Sequence, residues 1–464
     1  MSNLIFANTN RSLKPFSLAV ALGFCTVPVL VNAAGSELSS EPKPMQIDEV
    51  PDRVPPLIEI GDRFLGAGNI SAGFEIPTGA VWQPSFVAWG EVRSGAAYVD
   101  YEPATGDEQF SEWANRIDLF GQLTLSQADR IVVGVRSFDE DGEFFGRRFE
   151  PEEEDIDPTL DVSLAFIEVN LAELFPKLNG GGVNRPLDLD LSIGRQQIFF
   201  QEGTIVNDNM DSIALARNNL SLLGNNNTRV AFVYAWNEVN RSNNIEDEEA
   251  DFFGIFTESD FAKSTVNLDF ATVNSDETGD GYWLGISAIQ RFGKLNTAFR
   301  AVHSEPGDDE TSLTTGGTLL VSEMSWVPAH TFDNVYINLF YGIDEFQPAS
   351  RDLATGGPLG IVGISFAAVG LGGYGAPLSN DAIESFGGAL GYQMFFANNR
   401  RQLILELGAR DSYDEDAERT QVALAARYQH ALGRRFIARL DGFVAERQNF
   451  DSGWGARTEI LVRF

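Results

Sequence analysis

The last eleven residues of the chain alternate strictly between two kinds of side chain. One set is mostly apolar and consists of Trp454, Ala456, Thr458, Ile460, Val462 and Phe464; the other consists of Gly455, Arg457, Glu459, Leu461 and Arg463. Successive side chains of a β-strand point to opposite faces, so this segment predicts a strand with one face suited to lipid and the other suited to water.

Four preceding segments show the same alternation with a length of about ten residues each. They are Glu384–Phe396, Arg401–Arg410, Arg419–His430 and Arg435–Arg447. Tight connections at 397–400 and 431–434 alternate with longer ones at 411–418 and 448–453. In outer-membrane barrels short turns face the periplasm and long loops face outside, so the alternation of connection lengths can place strands where hydrophobicity is ambiguous.

Applied upstream, this rule gives thirteen further strands and a total of eighteen, an even number as in bacterial barrels. They are predicted at 85–101, 113–126, 130–137, 161–171, 187–200, 211–217, 228–238, 251–257, 263–273, 281–291, 295–303, 317–327 and 332–341. We therefore predict an all-β fold, a transmembrane antiparallel β-barrel over residues 85–464 in the outer membrane. Residues 342–383 are predicted to form one long, glycine-rich outer loop.

The N-terminus is consistent with export. Arg11 and Lys14 precede an apolar run and small residues near Ala33, which predicts a signal peptide over residues 1–33. Cys25 is the only cysteine and lies within this leader, so no intramolecular disulfide is expected in the mature chain. Residues 34–84, rich in proline and glycine, are interpreted as a periplasmic lead-in or a plug.

The C-terminal strand also predicts partners. Trp454, Ile460, Val462 and Phe464 resemble the assembly signal of outer-membrane barrels, which implies recognition by the barrel-assembly machinery. Lipid and lipopolysaccharide are expected around the apolar face. The formal net charge of −34 argues against nucleic acid as a partner.

Alternation turns many arginines toward the lumen, together with a glutamine. The predicted pore-lining residues are Arg116, Arg136, Arg300, Arg410, Arg427, Arg439, Arg457 and Gln196. Arginine is always charged and grips a carboxylate with two parallel hydrogen bonds, which favours a path for anions such as uronate sugars. Inward acids are also predicted, at Asp118, Asp269, Glu406, Asp441 and Glu459, so a purely structural role in cross-strand ion pairs is an equal alternative.

Catalysis is not expected. The three histidines, His303, His330 and His430, stand at no recognisable spacing from a serine and an acid, and none is paired for metal binding. The sequence predicts no enzyme, no metal site and no cofactor.

Several stretches resemble the alginate-export family of outer-membrane proteins. They are PTGAVWQPSFVAWGEVRS at 77–94, RIDLFGQLTLSQADRIVVGVRSFDEDG at 116–142, LDLSIGRQQIFFQEGTIVNDNMDSIAL at 189–215, and the segments GGPLGIVGISF, GGALGYQMFF and RRQLILELGAR up to residue 410. The resemblance implies an eighteen-stranded barrel that passes an anionic polysaccharide through an arginine-rich pore. Within its GRQ motif, Arg195 has outward parity, so it lies at the outer rim or a bulge near Gly194 turns it inward.

The leading hypothesis is therefore an outer-membrane channel for anionic or sugar-like solutes, including alginate-like polysaccharide export. Two alternatives are a general porin and a non-conducting surface barrel, an adhesin or a lipopolysaccharide-organising protein that uses its acidic loops.

Overall fold

The alternating segments form one closed antiparallel sheet. The structure, a computed structural model, describes residues 54–61, 72–126, 128–138, 144–152, 159–179, 186–221, 224–241, 245–307, 312–413 and 420–464. The predicted leader over 1–33 lies outside these residues. None of the helices within the described ranges is long and apolar enough to cross a membrane.

Eighteen long strands build the wall, each hydrogen-bonded to its neighbours along the chain. They are β1 (Ser85–Asp100), β2 (Phe110–Thr124), β3 (Arg130–Phe138), β4 (Thr159–Asn170), β5 (Asp190–Phe200), β6 (Val206–Leu220), β7 (Asn227–Trp236), β8 (Asp251–Asp260), β9 (Ser264–Asn274), β10 (Gly281–Phe292), β11 (Leu295–Pro306), β12 (Gly317–Trp326), β13 (Asn334–Phe346), β14 (Ser385–Phe396), β15 (Arg401–Ser412), β16 (Gln421–Leu432), β17 (Phe436–Arg447) and β18 (Gly453–Arg463).

The barrel closes where β18 pairs antiparallel with β1, from Trp454 opposite Asp100 to Arg463 opposite Glu91. Phe464 extends this pairing, because its N–H donates to the Gly90 carbonyl and its own carbonyl accepts from the Gly90 N–H, at 3.0 and 2.7 Å. Closure leaves no open sheet edge, whose backbone N–H and C=O groups would find no hydrogen-bond partners in lipid.

Shorter elements lie in the connections and before β1. Short strands lie at Ile58–Ile60, Phe74–Glu75, Val81–Trp82, Phe145–Glu150, Val239–Arg241, Ile245–Asp247, Ser350–Arg351 and Ala382–Ile383. Helical turns occur at Glu102–Thr105, Leu171–Leu174 and Pro176–Asn179, and 3₁₀ turns at Gln201–Gly203, Leu353–Thr355 and Pro358–Ile361. Residues Ile58–Ile60 pair with Phe86–Ala88 of β1.

Large apolar side chains cover the outside of the wall. Examples from successive strands are Leu390, Leu405, Leu424, Leu440 and Ile460, each roughly half exposed. Exposure of so much apolar surface to water would be unfavourable, whereas in a bilayer these side chains contact lipid tails.

Two strands are longer than their sequence pattern predicts. β6 begins at Val206 rather than near 211, and β13 continues to Phe346 rather than ending near 341. Phe200 pairs with Val206, and Phe346 pairs with Ala382, so both extensions are stabilised by neighbouring backbone. The inward side chains of these two extensions contact other parts of the protein. The extensions therefore lack the apolar alternation that marks a lipid-facing strand.

Residues 347–384, here called the inner segment, connect β13 to β14 and pack against the inside of the wall. Leu359, Val362, Phe366 and Leu378 of this segment are fully buried. Phe366 meets Phe340 of β13 edge to face, with ring centroids 5.6 Å apart. The lumen thus contains an apolar core of its own, since the inner segment brings side chains that cover the inward apolar residues of the wall.

Candidate functional site

Six arginines on six consecutive strands form a continuous row along the lumen wall. In spatial order the arginine row is Arg427 (β16), Arg439 (β17), Arg457 (β18), Arg93 (β1), Arg116 (β2) and Arg136 (β3). Each lies at an inward position of its strand, opposite in parity to the apolar residues of the outer surface. The row crosses the junction of β18 with β1.

Three buried carboxylates link the arginines of the row. Asp441 accepts hydrogen bonds from Arg427 and Arg457, at 2.5 and 2.8 Å. Glu459 accepts from Arg93 at 2.6 Å and from Arg439 at 3.2 Å, and it also lies 2.8 Å from Arg457.

The third carboxylate, Asp118, pairs with the remaining two arginines, Arg116 at 2.8 Å and Arg136 at 2.7 Å. Among the described residues, six guanidinium groups of the row therefore face four carboxylates within ion-pair distance, because Arg136 also lies 3.8 Å from Asp352 of the inner segment. The local charge is positive although the chain as a whole is strongly acidic.

Solvent exposure divides the row into two groups. The side chains of Arg457 and Arg93 are 1% and 7% exposed and brace the wall. Those of Arg427, Arg439, Arg136 and Arg116 are 14–22% exposed. All six arginines hold carboxylates, as the structural interpretation expects, and the four partly exposed ones also present charge to the lumen, as the pore-lining interpretation expects.

The inner segment is anchored to the row through its backbone. Arg93 donates to the carbonyls of Gly370 and Val369 at 2.7 and 3.0 Å, and Arg116 donates to the Gly370 carbonyl at 3.0 Å. Residues 369–370 are therefore held against β1 and β2 by charge-assisted hydrogen bonds.

A second set of anchors lies on β15. The carboxylate of Glu406, 1% exposed, accepts hydrogen bonds from the N–H groups of Ile364 and Ser365 at 2.9 and 2.7 Å, and from the Tyr336 hydroxyl. Gly363 lies so close to this carboxylate that an added Cβ would come within 2.3 Å of it. Glycine suits this position because it lets the backbone approach the Glu406 carboxylate closely.

Arg410 holds the end of the inner segment. It donates to the carbonyls of Ser379 and Asp381 and to the Asp381 carboxylate, at 2.5, 3.1 and 3.0 Å. Burial raises the pKa of Asp381, but the Arg410 charge and the hydrogen bond from Ser379 outweigh burial, so the pKa is below its ordinary value. The carboxylate therefore stays ionised and paired.

Three cavities adjoin the arginine row and the inner segment. The large cavity, of 590 Å³, is lined by Trp89, Arg116, Asp118 and Arg136 among others. A second cavity of 510 Å³ is lined by Arg427, Tyr336, Gly360, Ile361, Gly363 and Ile364 among others. The small cavity, of 100 Å³, is lined by Arg136, Ser163, Arg195, Asp208 and Asp352.

The structure brings five of the predicted pore-lining residues together and disperses three. Arg116, Arg136, Arg427, Arg439 and Arg457 belong to the row. Arg300 pairs instead with Glu323 and lies 3.7 Å from Glu202, and Arg410 binds the inner segment. Gln196 is buried and donates to the Ser212 hydroxyl at 3.0 Å.

Two further arginines line the lumen: the sequence analysis does not name the first, Arg93, and leaves open whether the second, Arg195, points inward. Arg93 belongs to the row although it was not predicted; its outward neighbours Val92 and Ser94 carry the signal that could have identified it. Arg195 lines the small cavity and pairs with Glu238. The preceding Gly194 has a φ of +124°, a conformation that favours glycine, which agrees with a local distortion that turns Arg195 inward.

The predicted assembly-signal residues lie at the closing strand. Trp454 and Ile460 are exposed on the outer surface, and Tyr98 of β1 lies 5.2 Å from the Trp454 ring. Val462 pairs with Val92, and Phe464 is paired with Gly90 as described above.

No protein-family model and no curated protein sequence matches the chain. Solved structures do match it. OccK2 (OpdF) of Pseudomonas aeruginosa, in complex with glucuronate, has a TM-score of 0.54 at 11% identity, covering 82% of this chain and 98% of that one. The outer membrane protein OpdK of the same species gives 0.54 at 11% identity, with 82% and 98% covered. OccAB3 of Acinetobacter baumannii gives 0.52 at 11%, with 82% and 99% covered.

These similarities concern the fold, and they confirm the predicted eighteen-stranded outer-membrane barrel. The predicted membership of the alginate-export family is wrong, because the matching structures are Occ proteins. The motifs that suggested it consist of alternating apolar residues and glycine-rich turns, which barrels of different families share for the same physical reasons.

Proposed function

We propose that this barrel is an outer-membrane channel for small anionic solutes of the sugar-acid type, with the arginine row as the path they follow. The observation that carries the proposal is the excess of guanidinium groups over carboxylates on six adjacent strands, four of them partly exposed to the lumen. Rings or rows of one charge select the sign of a permeating ion.

The size of the cavities supports a small solute. The large cavity, at 590 Å³, lies within the range of roughly 300–1,000 Å³ that is usual for small-molecule sites. A carboxylate can bind the Arg116 and Arg136 guanidinium groups there, while Gln122 and Glu91 of the same cavity can exchange hydrogen bonds with hydroxyl groups. The related fold of OccK2 was solved with glucuronate, a solute of this class.

The same proposal includes the export of the chain and the orientation of the barrel in the membrane. The leader over residues 1–33 directs export, the short turns such as 293–294 and 397–400 face the periplasm, and the long connections face outside. The inner segment then enters the lumen from the outer side and narrows the path beside the row.

A matched pair of solutes tests the proposal. Purified barrel in planar bilayers should show a reversal potential with chloride preference, and glucuronate should reduce the current at concentrations at which glucose has no effect. Glucose has nearly the same size and lacks the carboxylate, so it controls for steric block. Cation preference, or equal effects of the two sugars, would contradict the proposal.

A non-conducting surface barrel is the second candidate, favoured by the burial of Leu359, Val362 and Phe366 inside the lumen. It predicts no conductance in the intact protein and none after deletion of 342–383. Current that is absent in the intact barrel and appears after the deletion would instead identify a closed channel.

A further inference from the structure

Six tryptophans lie on the strands of the wall, and two of them point into the lumen. The other four have the outward parity of the lipid-facing side chains, where barrels usually carry aromatic residues: Trp113, Trp236, Trp326 and Trp454. Trp283 of β10 points inward but is 1% exposed, and its Nε1 donates to the Gln347 carbonyl of the inner segment at 2.8 Å. Trp89 of β1 is different, because it is partly exposed and lines the large cavity.

The Trp89 indole is held in place by its neighbours, and its N–H remains available. Phe120 of β2 stacks beside it, with ring centroids 5.6 Å apart and an angle of 24° between the ring planes. The Phe120 ring lies over Gly134 of β3, where an added Cβ would come within 2.7 Å of it. Within the part of the chain that the structure describes, the Trp89 Nε1 donates no hydrogen bond. The cavity is therefore lined by a supported aromatic ring with a spare donor.

The aromatic pair lies in line with the charged groups of the same cavity. Successive levels of inward residues on β1 and β2 are Trp89 opposite Phe120, Glu91 opposite Asp118, and Arg93 opposite Arg116. The two steps from the aromatic level to the level of Arg116 measure about 13 Å along the strands. Arg116 reaches back over part of this distance, since its Nε donates to Asp118 at 2.8 Å. The cavity thus presents an aromatic surface, carboxylate oxygens and a guanidinium in that order.

This order of groups matches the chemistry of a cyclic sugar acid. A pyranose ring has C–H groups on its faces, which pack favourably on an aromatic ring. Its hydroxyl groups both donate and accept, so they can pair with carboxylates such as Glu91 and with the indole N–H. The carboxylate of the solute is the partner that a guanidinium binds best. An open-chain acid has the same polar groups and lacks the apolar face.

We propose that Trp89 makes the large cavity selective for ring-shaped sugar acids over open-chain acids, because the face of a pyranose ring lies on the indole while the solute carboxylate is held by the arginine row. This inference rests on the proposed function, which assigns selection by charge to the arginines. Trp89 adds selection by shape at the same site.

The substitution Trp89→Leu, tested with two matched acids, examines this role. Gluconate is the open-chain counterpart of glucuronate, with one carboxylate and a similar set of hydroxyl groups. Leucine keeps an apolar side chain and removes the flat ring and its N–H. The dissociation constant for glucuronate, measured by block of the single-channel current, should rise about tenfold, while that for gluconate should change less than about twofold. The chloride preference should stay the same, because no charge is altered.

Two further variants make the test specific. Trp89→Phe keeps a flat ring, so it should weaken glucuronate block by no more than about threefold. Trp236→Leu removes an indole from the outer face of β7 and should leave the block by both acids unchanged. Fluorine NMR of the intact barrel labelled with fluorotryptophan needs no folded variant: glucuronate should shift one tryptophan resonance, and gluconate should shift none.

The outcomes separate this inference from the proposed function. An intact barrel that glucuronate and glucose block equally contradicts the proposed function itself. Where glucuronate blocks better than glucose, equal weakening of glucuronate and gluconate by Trp89→Leu would show that Trp89 only shapes the cavity, which overturns the selective role. Unchanged glucuronate block in Trp89→Leu, or tryptophan resonances that glucuronate does not move, would overturn it as well.

Discussion

The double substitution Arg427→Gln and Arg439→Gln is the sharpest perturbation of the arginine row. These two side chains are among its most exposed, at 22% and 20%. After their removal Asp441 still has Arg457, and Glu459 still has Arg93 and Arg457. No buried carboxylate loses its last cation, so the cost of leaving an unpaired buried charge is avoided.

The expected effect follows from Coulomb's law. A unit charge about 7 Å from a permeating ion in water contributes about 0.6 kcal/mol, and 0.1 M salt reduces this by about half. Loss of two charges therefore disfavours an anion by about 0.6 kcal/mol and favours a cation equally. The permeability ratio of chloride to potassium should fall about sevenfold.

Reversal potentials in a potassium chloride gradient measure this ratio. Arg434→Gln with Arg435→Gln is the matched control, since it removes two exposed arginines from the turn between β16 and β17, outside the row. Its effect should be small, and both variants should keep heat-modifiable migration. The pore-lining assignment is refuted if the row variant folds and retains the selectivity of the intact protein.

Three further changes test the anchors and the outer surface. Glu406→Gln leaves one of two inner-segment N–H groups without an acceptor, which should cost about 1–3 kcal/mol locally and speed hydrogen exchange of the segment. Because the pKa of Asp381 is lowered, the contribution of this carboxylate to the stability of the inner segment is full above the ordinary carboxylate pKa and is lost only as the pH falls through the lower folded value. Arg410→Gln should move this loss of stability to higher pH, and hydrogen exchange measured as a function of pH would show it. Leu405→Arg, on the outer face of β15, should cost about 2–4 kcal/mol in urea unfolding from lipid vesicles, whereas Glu108→Arg in a connection should cost less than about 0.5.

The sequence predicts the barrel well because two independent signals act on every strand. Lipid outside and water inside impose alternation, and the membrane fixes the strand length. Both signals fail where the lumen is filled with protein. The apolar run GIVGISFAAVGL at 360–371 has the composition of a strand, and in the structure it contains a 3₁₀ turn and no strand. Its residues are apolar because they meet inward residues such as Phe340, a contact that alternation cannot reveal.

The candidate site is predictable in kind rather than in detail. Strand parity places Arg427, Arg439 and Arg457 inward, and they do lie together in the structure. Parity gives no distance between strands, however, so it cannot separate Arg457, which is buried between Asp441 and Glu459, from its exposed neighbours. It also cannot show that Arg410, at an equally inward position, is engaged by a segment thirty residues upstream in the chain.

The arginine row joins the two ends of the barrel sequence. Arg93, Arg116 and Arg136 come from the first three strands, and Arg427, Arg439 and Arg457 come from the last three. The ion pair of Arg93 with Glu459 spans 366 residues, so it forms only once the final strand has reached the first. A chain truncated before β18, or halted before the ends meet, therefore cannot carry this site, and completion of the wall and acquisition of the binding groups are a single event.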